Sequence, residues 1–220
     1  MIKAVIFDVG GTLLGATDLL ENIVAGSASP ESHDAIYNQV GHEFFRQIAD
    51  CRNGSMFKRV VEIVADSIEA VNRENHNCLD SVNAAQVYWK TFVTDAVIVN
   101  AADIVLERLY ARHVELFIAS DADAELIYAQ FDHHQWTKYI SKFFISSEVK
   151  AYKPSDLFVT VLNDAIGVYE KEEVIFVGDS DVDIETGKKL GVKTALISQN
   201  NERRYNEDYS FRSLLELLDL

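Results

Sequence analysis

The chain has 220 residues, 48 % of them hydrophobic, enough for one domain with an insertion or for two small domains. Two prolines and ten glycines are too few for a disordered or linker-rich chain. A formal net charge of -15 repels phosphate backbones and anionic lipid, so neither nucleic acid nor a membrane surface is an expected partner.

The first element is the apolar run "KAVIF" (3–7), read as a buried strand that stops on Asp8 and enters "VGGT". Met1 leads straight into this strand, and Asp8 interrupts the run. No signal peptide and no bilayer-spanning segment is therefore expected, which points to the cytoplasm. From residue 16 to about 95 no strand pattern is visible. Apolar residues recur instead at helical spacing, as in Ile36, Val40, Phe44 and Ile48, and again in Val60, Val61, Val64, Ile68 and Val71. Pro30 and "RNGS" (52–55) punctuate them. The expectation is an all-helical cap domain over residues 16–95, with the remaining core at 1–15 and 96–220. Cys51 and Cys78 form no C-x-x-C pair and are expected as reduced thiols.

The chain returns at "DAVIVN" (95–100) and enters the helical pattern "AADIVLERLYAR". Four further apolar runs follow: "VELFIA" (114–119), "KFFIS" (142–146), "EVIFVG" (173–178) and "KTALIS" (193–198). Between them lie segments with helical spacing, such as Leu126, Ile127 and Phe131, or Phe158, Val161 and Leu162. Strands alternating with helices predict a doubly wound, Rossmann-like parallel α/β core. Right-handed crossovers point every strand's carboxyl end at one rim, where ligands bind.

Three comparisons can be made for "DVGGT". A dinucleotide loop fails because the G-x-G-x-x-G spacing is absent and the helical insert replaces the βαβ unit. The first phosphate loop of the sugar-kinase and actin superfamily explains this loop and nothing else. The third comparison explains four places. "FDVGGTLL" resembles the D-x-D-G-T-L motif of the haloacid dehalogenase superfamily, whose members share a doubly wound core with an inserted cap. "LFIAS" then ends a strand on Ser120, "YKPSDLF" sets Lys153 before a proline at a helix start, and "VIFVGDSDVD" ends a strand with Asp179 and Asp183. These match the superfamily's remaining three motifs in order.

The resemblance implies a phosphatase in which Asp8 attacks phosphorus and an aspartyl-phosphate is hydrolysed. It implies Mg²⁺ held by Asp8, Asp179 and Asp183 and by the backbone carbonyl of Gly10. Lys153 and Ser120, with Asp121, Gly11 and Thr12, would bind the substrate's phosphoryl group; Asp181 has no implied role. Plainer readings exist for each motif: helix-capping aspartates in "GDSDVD", an N-cap at Ser120, a solvated lysine at 153.

One position departs from the superfamily's phosphatases. Two residues after the nucleophile they carry a second aspartate, the general acid and base, where this chain has Gly10. Such a group contributes about 10²–10⁴ in rate, or roughly 3–5 kcal/mol of barrier. The loss is compatible with slow turnover, with aryl or acyl phosphates as substrates, or with a proton from His33, His42 or Glu43. It is also compatible with a non-catalytic binding protein, and with two other activities of the superfamily. Dehalogenases lack the second aspartate but also lack the fully acidic last motif. Phosphonoacetaldehyde hydrolases need a cap lysine, for which Lys58 and Lys90 are available. "DHHQW" (132–136) pairs two histidines that a helix would turn to different faces, and "RNGS" reads as a helix–helix turn or as a loop that reaches the site.

Overall fold

In the computed structural model, which describes residues 1–15, 18–25, 32–75, 79, 86–198 and 204–220, β1 (Ala4–Phe7) is wholly buried at the centre of a sheet. It is followed by β2 (Leu14–Gly15), α1 (Leu19–Ala25), α2 (His33–Arg52) and α3 (Val60–Glu74). A π-helical turn at Lys90–Thr94 leads to β3 (Val97–Ile98), α4 (Ala102–Ala111), β4 (Glu115–Ser120) and α5 (Ala124–His133). Then come β5 (Lys142–Ile145), the single turn α6 (Ser146–Val149), α7 (Asp156–Ile166), β6 (Val174–Gly178), α8 (Asp181–Leu190), β7 (Lys193–Ile197) and β8 (Tyr209–Phe211). A 3₁₀ segment, Leu214–Asp219, ends the chain. Pro30 and Cys78 lie outside the described residues; Cys51 is buried and free.

Six strands form one parallel sheet in the order β5-β4-β1-β6-β7-β8. Successive side chains take opposite faces. Val5 and Phe7 of β1 join Leu116, Ile118, Ile175 and Val177 under α4, while Ala4 and Ile6 join Phe117, Phe176, Phe158 and Leu162 under α7. Burial on both faces is why these strands read as unbroken apolar runs rather than alternating ones. Each fully buried Phe, Ile or Leu contributes about 1.5–3 kcal/mol of transfer free energy.

From β1 the chain crosses to β4 and β5 on one side of the sheet, then to β6, β7 and β8 on the other. The carboxyl ends of β1, β4 and β6 therefore face a common crevice at the switch of direction.

The five strands expected from sequence are present. β8 is additional, and β2 with β3 makes an antiparallel ribbon, Leu14 opposite Ile98 and Gly15 opposite Val97. Through this ribbon the chain leaves the sheet and returns to it. Between lie α1, α2 and α3, whose apolar faces (Ile23, Ile36, Val40, Ile63, Ile68) share a cluster with Leu126 and Tyr152 from the loops and helices beyond the sheet. The first turn of α3 is joined to α5 by one carboxylate. Asp123, 1 % exposed, accepts hydrogen bonds from the backbone N–H groups of Val60 (3.2 Å) and Val61 (2.8 Å), from Arg59 and from the Tyr88 hydroxyl. It satisfies amides that a helix start otherwise leaves open.

Candidate active site

The crevice holds a cavity of about 470 Å³. Asp8 follows the last residue of β1 and donates its backbone N–H to the Val177 carbonyl of β6 (2.9 Å), which pins it beside the neighbouring strand end. Ser120 is the last residue of β4, buried at the cavity wall. Asp179 follows Gly178, the last residue of β6. There the backbone must approach α8 closely, because a Cβ at Gly178 would stand 2.2 Å from the Cβ of Asp183.

Lys153 comes from the loop before α7. Its ammonium donates to Asp8 Oδ1 (2.6 Å), Asp183 Oδ1 (2.6 Å) and the Ala119 carbonyl (3.1 Å). An ammonium has three donors, and all three are used. Lys153 is 3 % exposed, so the solvated-surface reading does not apply to it. Its backbone N–H donates to Asp121 Oδ1 at 2.9 Å. Asp183 also takes part in a capping box, its Oδ2 accepting from the Ser180 hydroxyl (2.6 Å) and N–H (3.1 Å). The capping reading of "GDSDVD" and the site reading thus meet in one residue.

Carboxylate oxygens of Asp8, Asp179 and Asp183 lie within 4.8 Å of one another, the donor set a hard divalent cation takes. Burial, and repulsion from Asp183 and Asp179, push Asp8 up to about 8 against the opposing pull of Lys153. Asp179 opens on the cavity, yet the surrounding walls strip it of water and Asp183 repels it, raising it to about 6. Burial also raises Asp121, while Asp183 and Asp8 hold the Lys153 ammonium charged against its own burial. The crevice therefore has more negative charge than one lysine offsets, and the residues present fit a bound Mg²⁺.

Gly10 and Gly11 line the cavity, as does Asp121. Gly11 has a positive φ of 77° and packs so closely on Asp179 that a Cβ would stand 2.1 Å from Asp179 Oδ2. At Gly10 a Cβ would meet nothing within 4 Å. Thr12 is set apart: it is fully buried, does not line the cavity, and its hydroxyl has no partner among the described residues. Ser120 does not cap α5, since Asp123 holds that position. His33, His42, Glu43, Lys58 and Lys90 do not line the cavity. His33 faces Glu21 and Asp34, Glu43 faces Arg46, and the two lysines pair with Asp66 and Asp95. His134 stacks on Trp136.

Sequence reasoning missed most of the upper walls, where Phe44, Phe45, Tyr88, Phe92 and Tyr152 join Arg52 in enclosing the strand-end carboxylates. Arg52 belongs to the "RNGS" turn: residues 53–55 do turn, with Gly54 at φ 73°, while the Arg52 side chain reaches Asp121. The available signal was helical spacing, since Phe44, Ile48 and Arg52 succeed one another at four residues.

The described residues include no helix long and apolar enough to cross a membrane. The pyrophosphatase PpaX of Oceanobacillus iheyensis is 21 % identical over 228 residues, the match covering 100 % of this chain and 96 % of that protein. Two other curated relatives are spanned over only 60 % and 36 % of their own lengths, less than two thirds in each case. Among solved structures, YfnB of Bacillus subtilis bound to magnesium has a TM-score of 0.77 at 19 % identity, covering 99 % of this chain and 97 % of that one. L-2-haloacid dehalogenase from Xanthobacter autotrophicus has a TM-score of 0.74 at 17 % identity, with 100 % and 98 % covered. At such identities these two likenesses speak to the fold. The haloacid dehalogenase-like hydrolase family matches residues 5–197. With its sheet order and strand-end carboxylates, the chain belongs to that family.

Proposed function

We propose that this hydrolase is a magnesium-dependent phosphatase of a small phosphorylated metabolite, with Asp8 as nucleophile. The main support is the single buried ammonium of Lys153 shared by Asp8 and Asp183, each at 2.6 Å, with Asp179 alongside. A carboxylate and a phosphate dianion repel each other, and such a constellation exists to offset that repulsion.

Asp8, Asp179 and Asp183, with the Gly10 carbonyl, would hold Mg²⁺, which supplies positive charge between the phosphoryl oxygens and the nucleophile. An Asp8 carboxylate oxygen attacks phosphorus as the bond to the leaving oxygen breaks. The Ser120 hydroxyl holds a phosphoryl oxygen, and Lys153 can hold another by turning one N–H from its present acceptors, while Asp121 keeps Lys153 in place through its backbone N–H. Water then cleaves the aspartyl-phosphate. The apolar walls lower the local dielectric and strengthen each of these interactions.

Position 10, where the family's phosphatases carry their proton-transferring aspartate, is glycine with open space around it, so this position supplies no proton to the leaving oxygen. Leaving groups of low basicity therefore suit the site best: aryl and acyl phosphates, and the phosphoanhydride that the PpaX relative's name indicates for that protein. Two further activities of the family have less support. The fully acidic set Asp8, Asp179 and Asp183 counts against a metal-free dehalogenase. Lys58 and Lys90, paired outside the cavity, count against Schiff-base chemistry.

The test is phosphate release from p-nitrophenyl phosphate with and without Mg²⁺. Turnover should require the metal and fall to background in Asp8→Asn; full activity in that variant overturns the assignment. A metabolite panel then narrows the substrate. A chain that binds beryllofluoride tightly only with Mg²⁺ has a working nucleophile, whereas metabolite binding without turnover marks a non-catalytic protein.

A further inference from the structure

A second cleft, of about 1070 Å³, adjoins the site cavity between the end of α2 and the start of α7. The two share Phe45, Ile48, Arg52 and Val182, so Arg52 stands where one opens on the other. Of the residues lining the site cavity, Lys153 and Arg52 are the two that carry positive charge. The three Lys153 donors are already engaged by Asp8, Asp183 and Ala119.

Arg52 is held loosely by comparison. Its Nη2 lies 3.5 Å from Asp121 Oδ2, the outer limit of a hydrogen bond, and Asp121 already accepts from Lys153. Its Nε is buried with no partner among the described residues. Neighbouring cations of the helical layer are paired tightly: Arg46 with Glu43 and Asp50 at 2.6 and 2.9 Å, Lys58 with Asp66 at 2.5 Å. A guanidinium carries five N–H donors in a fixed fork, so Arg52 keeps donors in reserve beside the reaction cavity.

We infer that Arg52 recognises a second anionic group, the leaving phosphate of a phosphoanhydride substrate. This rests on the phosphatase reading above. As the bond from Asp8 to phosphorus forms, the phosphorus–oxygen bond to the leaving group breaks and its electron pair stays on the leaving oxygen. Gly10 offers no proton there. A leaving phosphate needs none, provided that its added charge is met, and the Arg52 fork matches phosphate in shape as well as sign. An alkoxide from an alkyl monoester would gain far less from the same contact. In a chain of net charge -15, a cation at this junction also draws anions toward the crevice.

The test compares kcat/KM for inorganic pyrophosphate with that for p-nitrophenyl phosphate, whose leaving group is aryl. In Arg52→Gln the pyrophosphate-to-aryl ratio should fall at least tenfold, and Arg52→Lys should recover part of it. On an Asp8→Asn background, which holds pyrophosphate without cleaving it, Arg52→Gln should weaken pyrophosphate binding by a similar factor in calorimetry. A ratio and an affinity that both move less than threefold overturn the inference. Wild-type turnover of p-nitrophenyl phosphate that depends on Asp8, with none of pyrophosphate, overturns the inference alone. Turnover of neither probe overturns the phosphatase reading as well.

Discussion

The ammonium of Lys153 lies 2.6 Å from Asp8 Oδ1, and both residues are buried. They are 145 positions apart in the chain, yet the pair forms because Asp8 directly follows β1 and Lys153 leans across the strand ends from the loop before α7. Taking the lysine away would leave Asp8, Asp179 and Asp183 facing one another with no cation. Breaking a buried pair by removing one partner costs about 3–5 kcal/mol. Lys153→Met should therefore lose about that much stability at pH 8 without metal, and less at pH 6, where the carboxylates can take up a proton instead. Urea unfolding at the two pH values measures this. Equal losses would mean that the carboxylates do not depend on the lysine for their charge.

The raised carboxylates set a pH dependence for the metal-free protein. Asp8 titrates near 8 and Asp179 near 6, against 3.8 for both in an unfolded chain. Between about pH 4 and pH 8 the folded chain thus binds protons that the unfolded chain has released. Stability from these groups is fully present below the unfolded value and is lost as pH rises through the folded ones. Mg²⁺ held by the deprotonated carboxylates would stabilise more at high pH. The difference in Tm between Mg²⁺-loaded and EDTA-treated protein should widen from pH 6 to pH 8, and Asp8→Asn should flatten it. A difference that stays constant across this range would remove Asp8 from the metal's ligands.

Most of the site's floor was legible in the sequence and most of its ceiling was not, for one physical reason. The strand-end residues Asp8, Ser120 and Asp179 each terminate a run of fully buried apolar residues, which marks both the strand and the point where it meets solvent. Lys153 was marked by a local pattern, a lysine before a proline at a helix start. The ceiling has no such punctuation. Arg52 meets Asp121 across 69 residues, and Asp123 meets Tyr88 across 35 and the first turn of α3 across 62 and 63. Such contacts depend on how α2 and α3 settle over the sheet, which periodicity does not encode. β8 escaped for a different reason: Tyr209 and Ser210 are only half-buried, so three edge residues show no unbroken apolar run.

The Asp123 contact can be tested by itself. Asp123→Ala removes the acceptor for the Val60 and Val61 amides, worth about 1–2 kcal/mol as a lost helix cap. It also deprives the buried Tyr88 hydroxyl of its partner, which costs about 1–3 kcal/mol more. Hydrogen exchange should quicken at the first turn of α3 ahead of the sheet strands. Uniform quickening across both would show instead that the helices and the sheet open as one cooperative unit.

The two glycines after β1 should answer substitution in opposite ways. At Gly11 the backbone is left-handed and a Cβ would drive into Asp179, so Gly11→Ala should lose Mg²⁺ affinity and turnover together. At Gly10 a Cβ meets open space and no positive φ stands against it, so the backbone accepts a side chain there without strain. Gly10→Asp would add a carboxyl group beside the expected leaving oxygen, able to give it a proton and later to take one from water. Turnover of alkyl phosphates, whose leaving groups most need that proton, should rise toward the 10²–10⁴ that a positioned general acid supplies. Turnover of p-nitrophenyl phosphate should change much less, because nitrophenolate leaves without protonation. An equal gain on both substrates would point to a better-ordered loop rather than to proton transfer. No gain on either would mean that another group already moves the proton in the native chain.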